Sequence, residues 1–373
     1  MALAILFLFF VLAVFMPKSR ILYCVMVVYM WLLFALNTEA PDSPVYEWVY
    51  NDNIPGAFEP LFTAIMDICR MLDMPFIGFR MVLATLLLIF LNLTYKKIEQ
   101  YKALALAMYM ISLFPGQVST IRAALACAIL MYAMSVFIDN PKQNSNKYCI
   151  LLFIATLIHY SSILFIVYFL ARRETTKNTI LYYLIIAVLG ILIVQHTDIL
   201  IDVVSRFTNR EKILTWLSQG PNKEGYPNLT GFTAEMIILF GNIFFTKKSK
   251  SIVFRYDMTV GKRRIAKTIA DLNVITILFI PLLSLNDTYM RLLYVMHGIN
   301  IVLYTMTAFV LQEYRGVKLK EHQVRVMAVK TRFSLYVLVI PLWSFLIIMY
   351  QNLPYIGTIN SVMVFLSRNI IFQ

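Results

Sequence analysis

The sequence predicts an all-α polytopic integral membrane protein of about 12 crossings, and three observations carry that expectation. Of 373 residues, 60% are hydrophobic and 14% are charged, where soluble domains average about 25% charged. Apolar runs recur along the whole length, and the polar gaps between them reach roughly 20 to 35 residues, too short for a second domain. The basic residues are gathered in clusters between the runs rather than spread evenly. The chain therefore reads as a single transmembrane domain, 1–373.

A membrane helix needs roughly 20 apolar residues, somewhat fewer where the bilayer thins. The runs 2–16, 21–36, 75–93, 118–138, 178–195, 232–246, 268–285, 288–311 and 333–350 are candidate spans. The first run has no basic region ahead of it, which argues against a cleaved signal peptide. Three further pieces, 103–114, 148–171 and 355–366, are ambiguous by length alone.

Charge resolves them, because short cytoplasmic loops collect Lys and Arg. The clusters are Lys18/Arg20, Lys96/Lys97/Lys102, Lys142/Lys147, Arg172/Arg173/Lys177, the basic cytoplasmic loop 247–267, and Arg315 to Arg332. All six share one side if 103–138 is a hairpin turning at Pro115-Gly116 and 148–171 is a hairpin turning near His159. That arrangement puts 24 of the 33 basic residues inside and both termini outside. A straight 148–171 span would instead turn 17 of them outward. The hairpins are re-entrant-like: an arm of 11 or 12 helical residues measures roughly 16–18 Å, short of a hydrocarbon core of about 30 Å. The turn at His159 is thus expected inside the membrane depth, lining an aqueous cavity.

Two outward loops carry interfacial helices. In the outer loop 37–74, Pro60 to Asp73 is expected to set Leu61, Phe62, Ile65, Ile68, Cys69 and Leu72 on one face. The second outer loop, 196–231, holds an amphipathic stretch from Ile199 to Leu217.

The outward charges point to chemistry. Seven of nine outward basic residues are arginines: Arg70, Arg80, Arg122, Arg206, Arg210, Arg291 and Arg368. Guanidinium is the fork that grips phosphate at two points. Arg80, Arg122 and Arg291 sit in apolar runs, where a charge is costly and usually has a partner or a task. The bland reading is that they snorkel to headgroups. Arg122 also falls in the first turns of an outward-starting helix, whose dipole adds positive potential. His159, followed by Tyr160, Ser161 and Ser162, is the histidine the hairpin argument singles out. The four cysteines form no CxxC pair and read as packing residues. No metal-ligand spacing, nucleotide loop or serine-hydrolase elbow appears. No metal, cofactor or nucleic acid is expected.

Four landmarks then fall in order: Asp42-Ser-Pro-Val-Tyr46-Glu-Trp-Val-Tyr50 with Glu59-Pro-Leu-Phe; Ile121-Arg122-Ala-Ala-Leu-Ala126; Ile158-His159-Tyr-Ser161-Ser; and Arg291-Leu-Leu-Tyr294. Together they resemble the EpsG/Wzy-type polysaccharide polymerases of bacterial capsule, exopolysaccharide and O-antigen assembly. Ala123 departs from the pattern, standing where that family often carries glutamine. The resemblance implies a glycosyltransferase of the bacterial cytoplasmic (inner) membrane. It would move a growing glycan from polyprenyl diphosphate onto the next lipid-linked repeat unit, alongside membrane lipid, a flippase and chain-length regulator proteins. Arg122 and Arg291 are then expected to hold the diphosphate and His159 to act on the acceptor hydroxyl as base or orienter. Arg80 and Arg206 are further substrate-binding candidates, with Tyr46 and Tyr294. Glu59 or Asp42 is expected to bind sugar or hold an arginine. A lipid-linked glycan flippase or other transporter is the alternative, and would also need phosphate-binding arginines; its site would sit near the midplane between repeated halves, and no internal repeat is visible. A ligase using the same donor differs only in acceptor.

Overall fold

A computed structural model describes residues 2–37, 40, 42–118, 120–172, 176–195, 229–256, 259–284 and 287–317. Among these every regular element is helical. The expected pieces at 199–217, 333–350 and 355–366 lie outside the described residues.

In chain order the helices are α1 (Ala2–Phe15), α2 (Arg20–Ala35), α3 (Ser43–Asn51), α4 (Pro60–Met71), α5 (Phe76–Tyr95), α6 (Lys102–Ser112) and the single turn α7 (Phe114–Gln117). They continue as α8 (Ile121–Phe137), α9 (Ser145–Ile158), a 3-10 helix Tyr160–Arg172, α10 (Lys177–Gln195), α11 (Leu229–Tyr256), α12 (Val260–Ile275) and α13 (Arg291–Val317). α12 runs on through a 3-10 turn to Ile280–Leu283. Three helical stretches, Phe76–Ile98, Val260–Leu283 and Arg291–Leu311, are long and apolar enough to cross a membrane, beside several shorter apolar helices.

The distribution of side chains is that of a protein solvated by hydrocarbon. Large apolar groups point outward on many helices: Phe7, Val28, Ile89, Phe153, Ile186 and Phe240 are all exposed. The interior meanwhile holds Asn242, Asn273, His297, Asn300, Thr305 and Thr307. Such extensive apolar exposure is rare on soluble monomers, whereas a bilayer rewards it and forces polar groups to pair inside. The chain is a multi-pass membrane protein.

Helix α13 is the axis, and two features fix its position. Asn273 and Asn300 exchange a reciprocal pair of amide hydrogen bonds, 2.7 and 2.9 Å, which sets the register of α12 against α13. On another side Gly298 lies so close to α8 that a Cβ there would overlap the Met131 side chain. Tyr95 donates to the Gly298 carbonyl at 3.3 Å, adding α5 to the same contact. Arg291, Tyr294 and Val295 near the start of α13 line one cavity with Thr120, Ala123 and Ala124 near the start of α8, so the two helices start at the same end of the bundle.

The charges separate along this axis. At the far end of α8, Lys97 pairs with Asp139, Arg264 donates to the Asp139 carbonyl at 3.2 Å, and Lys18 and Lys262 cover the rings of Tyr101 and Phe309. At the near end stand Arg122 and Arg291, in the first turns of α8 and α13. We refer to these as the lysine end and the arginine end.

The helix ends at His159 as expected, whereas Pro115-Gly116 lies within the single turn α7, with helix ends at Leu113 and Val118 on either side of it. The second hairpin is longer than its sequence suggests. α9 begins three residues ahead of the apolar run, and the return arm is a 3-10 helix of 13 residues. At about 2.0 Å per residue that arm stretches to roughly 26 Å, longer than an α-helix of the same 13 residues. Tyr148 ties the arms together by donating to the Phe165 carbonyl at 2.8 Å. The basic stretch 247–267 forms the end of α11 and the start of α12, helical on both sides of residues 257–258. One expectation about α4 is corrected. α4 buries Phe62, Met66 and Cys69, whereas Ile68 and Leu72 are exposed, because the helix packs by its Phe62–Cys69 stripe onto the aromatic rings of α3 and α5.

Gly298→Leu is expected to lower stability by about 1–3 kcal/mol, the usual cost of overpacking, and Gly298→Ala by less. A thermal unfolding series in detergent would check this; an unchanged midpoint for the leucine variant would mean that α8 and α13 do not depend on that approach.

Candidate functional site

The arginine end is organised around one carboxylate. Glu59 precedes Pro60, which has a fixed φ suited to the first position of α4, so the turn before α4 carries Glu59 inward rather than onto the surface. Its side chain is only 6% exposed. Oε2 accepts from Arg122 Nη1 at 2.5 Å, and Oε1 accepts from the Tyr160 backbone N–H at 3.2 Å. His159 Nδ1 faces the same Oε1 at 3.4 Å, too long and too poorly aimed to count as a hydrogen bond. Glu59 therefore joins α4, α8 and the α9 turn.

Burial pushes the Glu59 carboxyl up. The contact with His159, the Arg122 charge and the Tyr160 N–H outweigh it, holding the group down at about 2. His159, in the turn between its helices, is shifted the other way: burial lowers its pKa first, the arginines 122 and 291 lower it further, and Glu59 only partly restores it. These influences favour the neutral imidazole. Nδ1 is buried against Glu59, which leaves Nε2 as the nitrogen able to meet a substrate.

Arg122 lies over the ring of Phe58, 4.7 Å from its centroid, and its Nε is buried without a hydrogen-bond partner. Arg291 makes no hydrogen bond or ion pair with the described residues. It borders a cavity of about 30 Å³ together with Gln117, Thr120, Ser161, Ser162 and Tyr294. That volume suits one or two waters, so a larger ligand must engage the site from the open side or part its elements. Ala123 lines the same space. Asp42, ahead of α3, lies within reach of both arginines: burial raises its carboxyl, and Arg291 and then Arg122 pull it back. Tyr46 is buried beside Phe58 and Phe62 and feels the Arg122 charge.

Of the residues singled out from sequence, His159, Arg122, Arg291, Glu59, Asp42, Tyr46 and Tyr294 gather at this end. Arg206 lies outside the described residues. Arg80 is a correction. It is fully buried on α5 and donates to the carbonyls of Phe34 at 2.6 Å and Ala35 at 3.3 Å, and to Ser43 Oγ at 2.9 Å. Those carbonyls are among the unpaired last acceptors of α2, so Arg80 caps one helix and anchors the start of α3, leaving no face for a substrate. Sequence reasoning did not single out Phe58, Gln117 or Thr120. The signals were faint: an aromatic residue directly before an acid, and polar residues just ahead of an apolar run.

The described residues hold no cluster of three or more His, Cys, Asp or Glu side chains suited to a metal. What the arrangement offers is two arginines that both act on His159 and Asp42, and helix N-termini that add to the positive potential. Fold and site together define a multi-pass membrane protein with two arginines, a histidine and a carboxylate gathered at one end of its helices. The chain belongs to the EpsG family, whose profile matches residues 20–356 and so spans every residue of this site. Membership makes it a membrane protein of polysaccharide biosynthesis. No curated protein and no solved structure matches the chain.

Because the Glu59 carboxyl is held low, its contribution to stability is present above its unfolded value near 4.5 and is lost as pH falls toward 2. Glu59→Gln should flatten the stability profile in that window, measured by thermal unfolding at stepped pH; a variant as acid-sensitive as the parent would show that the carboxylate carries no such load. Arg80→Ala is expected to cost protein level and melting temperature through the uncapped α2, so its effect should follow the amount of folded protein.

Proposed function

We propose that this protein is a polymerase that joins polyprenyl-diphosphate-linked oligosaccharide repeat units into a surface polysaccharide, on the outer face of the bacterial cytoplasmic membrane. The observation that carries the reading is the convergence of Arg122, Arg291 and His159, from three separate elements, at one end of the bundle. The EpsG membership supports it.

The chemistry follows from the groups present. The two guanidinium groups hold the diphosphate of the donor lipid. An acceptor sugar hydroxyl attacks the donor anomeric carbon as the bond from that carbon to the diphosphate oxygen breaks. The oxygen keeps the electron pair, and the arginines stabilise the charge that develops on it. The hydroxyl proton passes to His159 Nε2, which is neutral and able to accept it. Tyr46 and Asp42 stand where they can orient sugar hydroxyls. The product stays lipid-linked through the acceptor, and polyprenyl diphosphate departs.

In a strain that makes the polysaccharide, Arg291→Ala should reduce long chains by about 10²–10³-fold and leave single repeat units on a gel. Long chains at normal protein level would remove Arg291 from the mechanism. His159→Gln should slow single-turnover transfer by about 10²–10⁴-fold while lipid-linked donor still binds. A purified protein that moves lipid-linked units across liposomes and never elongates them would favour transport instead.

A further inference from the structure

The site contains an ion pair where its proposed chemistry wants a free cation. Arg122 is already neutralised by Glu59, whereas Arg291 has no such partner among the described residues. Around Glu59 two buried nitrogens lack hydrogen-bond partners, Arg122 Nε and His159 Nδ1. Unpaired buried polar atoms are costly, and they mark an arrangement that a second state can improve.

We propose that Glu59 is an exchangeable counter-ion: an incoming diphosphate takes Arg122 from it, and the released carboxylate closes onto His159 Nδ1. This rests on the diphosphate-binding reading above. The anion meets Arg291 first. It then competes for Arg122 with more charge and more oxygens than one carboxylate, in the two-point geometry that guanidinium favours. Arg122 Nε, idle in the resting site, gains an acceptor. Glu59 cannot remain buried without a donor. The Tyr160 N–H already holds Oε1, and His159 Nδ1 stands 3.4 Å from that oxygen, so a shift of about half an ångström completes an ordinary hydrogen bond.

The exchange links donor binding to the base. A carboxylate on Nδ1–H fixes the imidazole tautomer with the proton on Nδ1 and the lone pair on Nε2, and makes Nε2 more basic. The charged groups facing His159 are Glu59 from the start of α4, Arg122 from α8 and Arg291 from α13; Asp42, ahead of α3, opposes both arginines. In the resting site the cations disfavour protonation. With diphosphate bound they are neutralised and Glu59 faces the imidazole. The base is then strong only when the donor is in place, which protects the lipid-linked donor from attack by water.

The test uses the purified full-length protein with inorganic pyrophosphate as probe. Affinity is measured by calorimetry, and His159 is followed by nitrogen NMR of histidine-labelled protein, assigned with His159→Gln. Pyrophosphate should drive His159 to the Nδ1–H tautomer and raise its apparent pKa by about one unit or more. Glu59→Gln should bind pyrophosphate several-fold more tightly than the parent, because no carboxylate competes for Arg122; a merely structural residue would weaken binding when replaced. Glu59→Ala should abolish the tautomer selection. Tight binding with an unmoved His159 signal, or weaker binding by Glu59→Gln, overturns the exchange and leaves the diphosphate site standing. No binding of pyrophosphate by either protein overturns the site reading and the exchange with it.

Discussion

The bond between Glu59 and Arg122 holds the arginine end together. Arg122 stands at the start of α8, Glu59 just ahead of α4, and the Tyr160 N–H on the same carboxylate belongs to the return arm of a hairpin. Without that carboxylate, three elements distant in sequence would have only apolar contacts to set their relative positions. Apolar contacts are non-directional, and against lipid they distinguish poorly between one packing and another. An ion pair with an added backbone hydrogen bond has a definite geometry, and His159 Nδ1 stands 3.4 Å from the same carboxylate.

The second constraint is the parallel placement of α8 and α13. Gly298 allows the close approach, and the Asn273–Asn300 pair fixes how far along its axis α13 sits. Two helix N-termini are thereby brought to one place, each with an arginine in its first turn. Dipole and side-chain charge then act in the same direction. A site for an anion can be built this way without any metal, provided the cations are kept from satisfying each other's counter-ions completely. Asp42 and Glu59 come close to doing so, and the unequal pairing of Arg122 and Arg291 is what keeps the site receptive.

Arg80 shows how similar sequence contexts can hide different work. Arg80, Arg122 and Arg291 all interrupt apolar runs. Each must find partners, because a charge in hydrocarbon is costly. For Arg80 the partners are the last carbonyls of α2 and the Ser43 hydroxyl, all supplied by the fold itself. For Arg291 the described fold supplies no hydrogen bond, only the nearby charge of Asp42. The difference lies in which helix end happens to pass nearby, which spacing along the chain does not encode.

Composition alone determined that this chain lives among lipids, and the grouping of Lys and Arg determined where its hairpins turn. Both are properties of the solvent boundary, which acts on each segment separately and so is written segment by segment. The order of the four landmarks from Asp42 to Tyr294 likewise identified the family before any coordinates. Tertiary structure decided the rest: that the hairpin's return arm is a stretched 3-10 helix, that Ile68 and Leu72 turn away from the core, that Arg80 is a cap, and that Glu59 stands between Arg122 and His159. These depend on contacts between residues up to 101 positions apart, where the partner's identity is set by packing geometry and not by any local pattern.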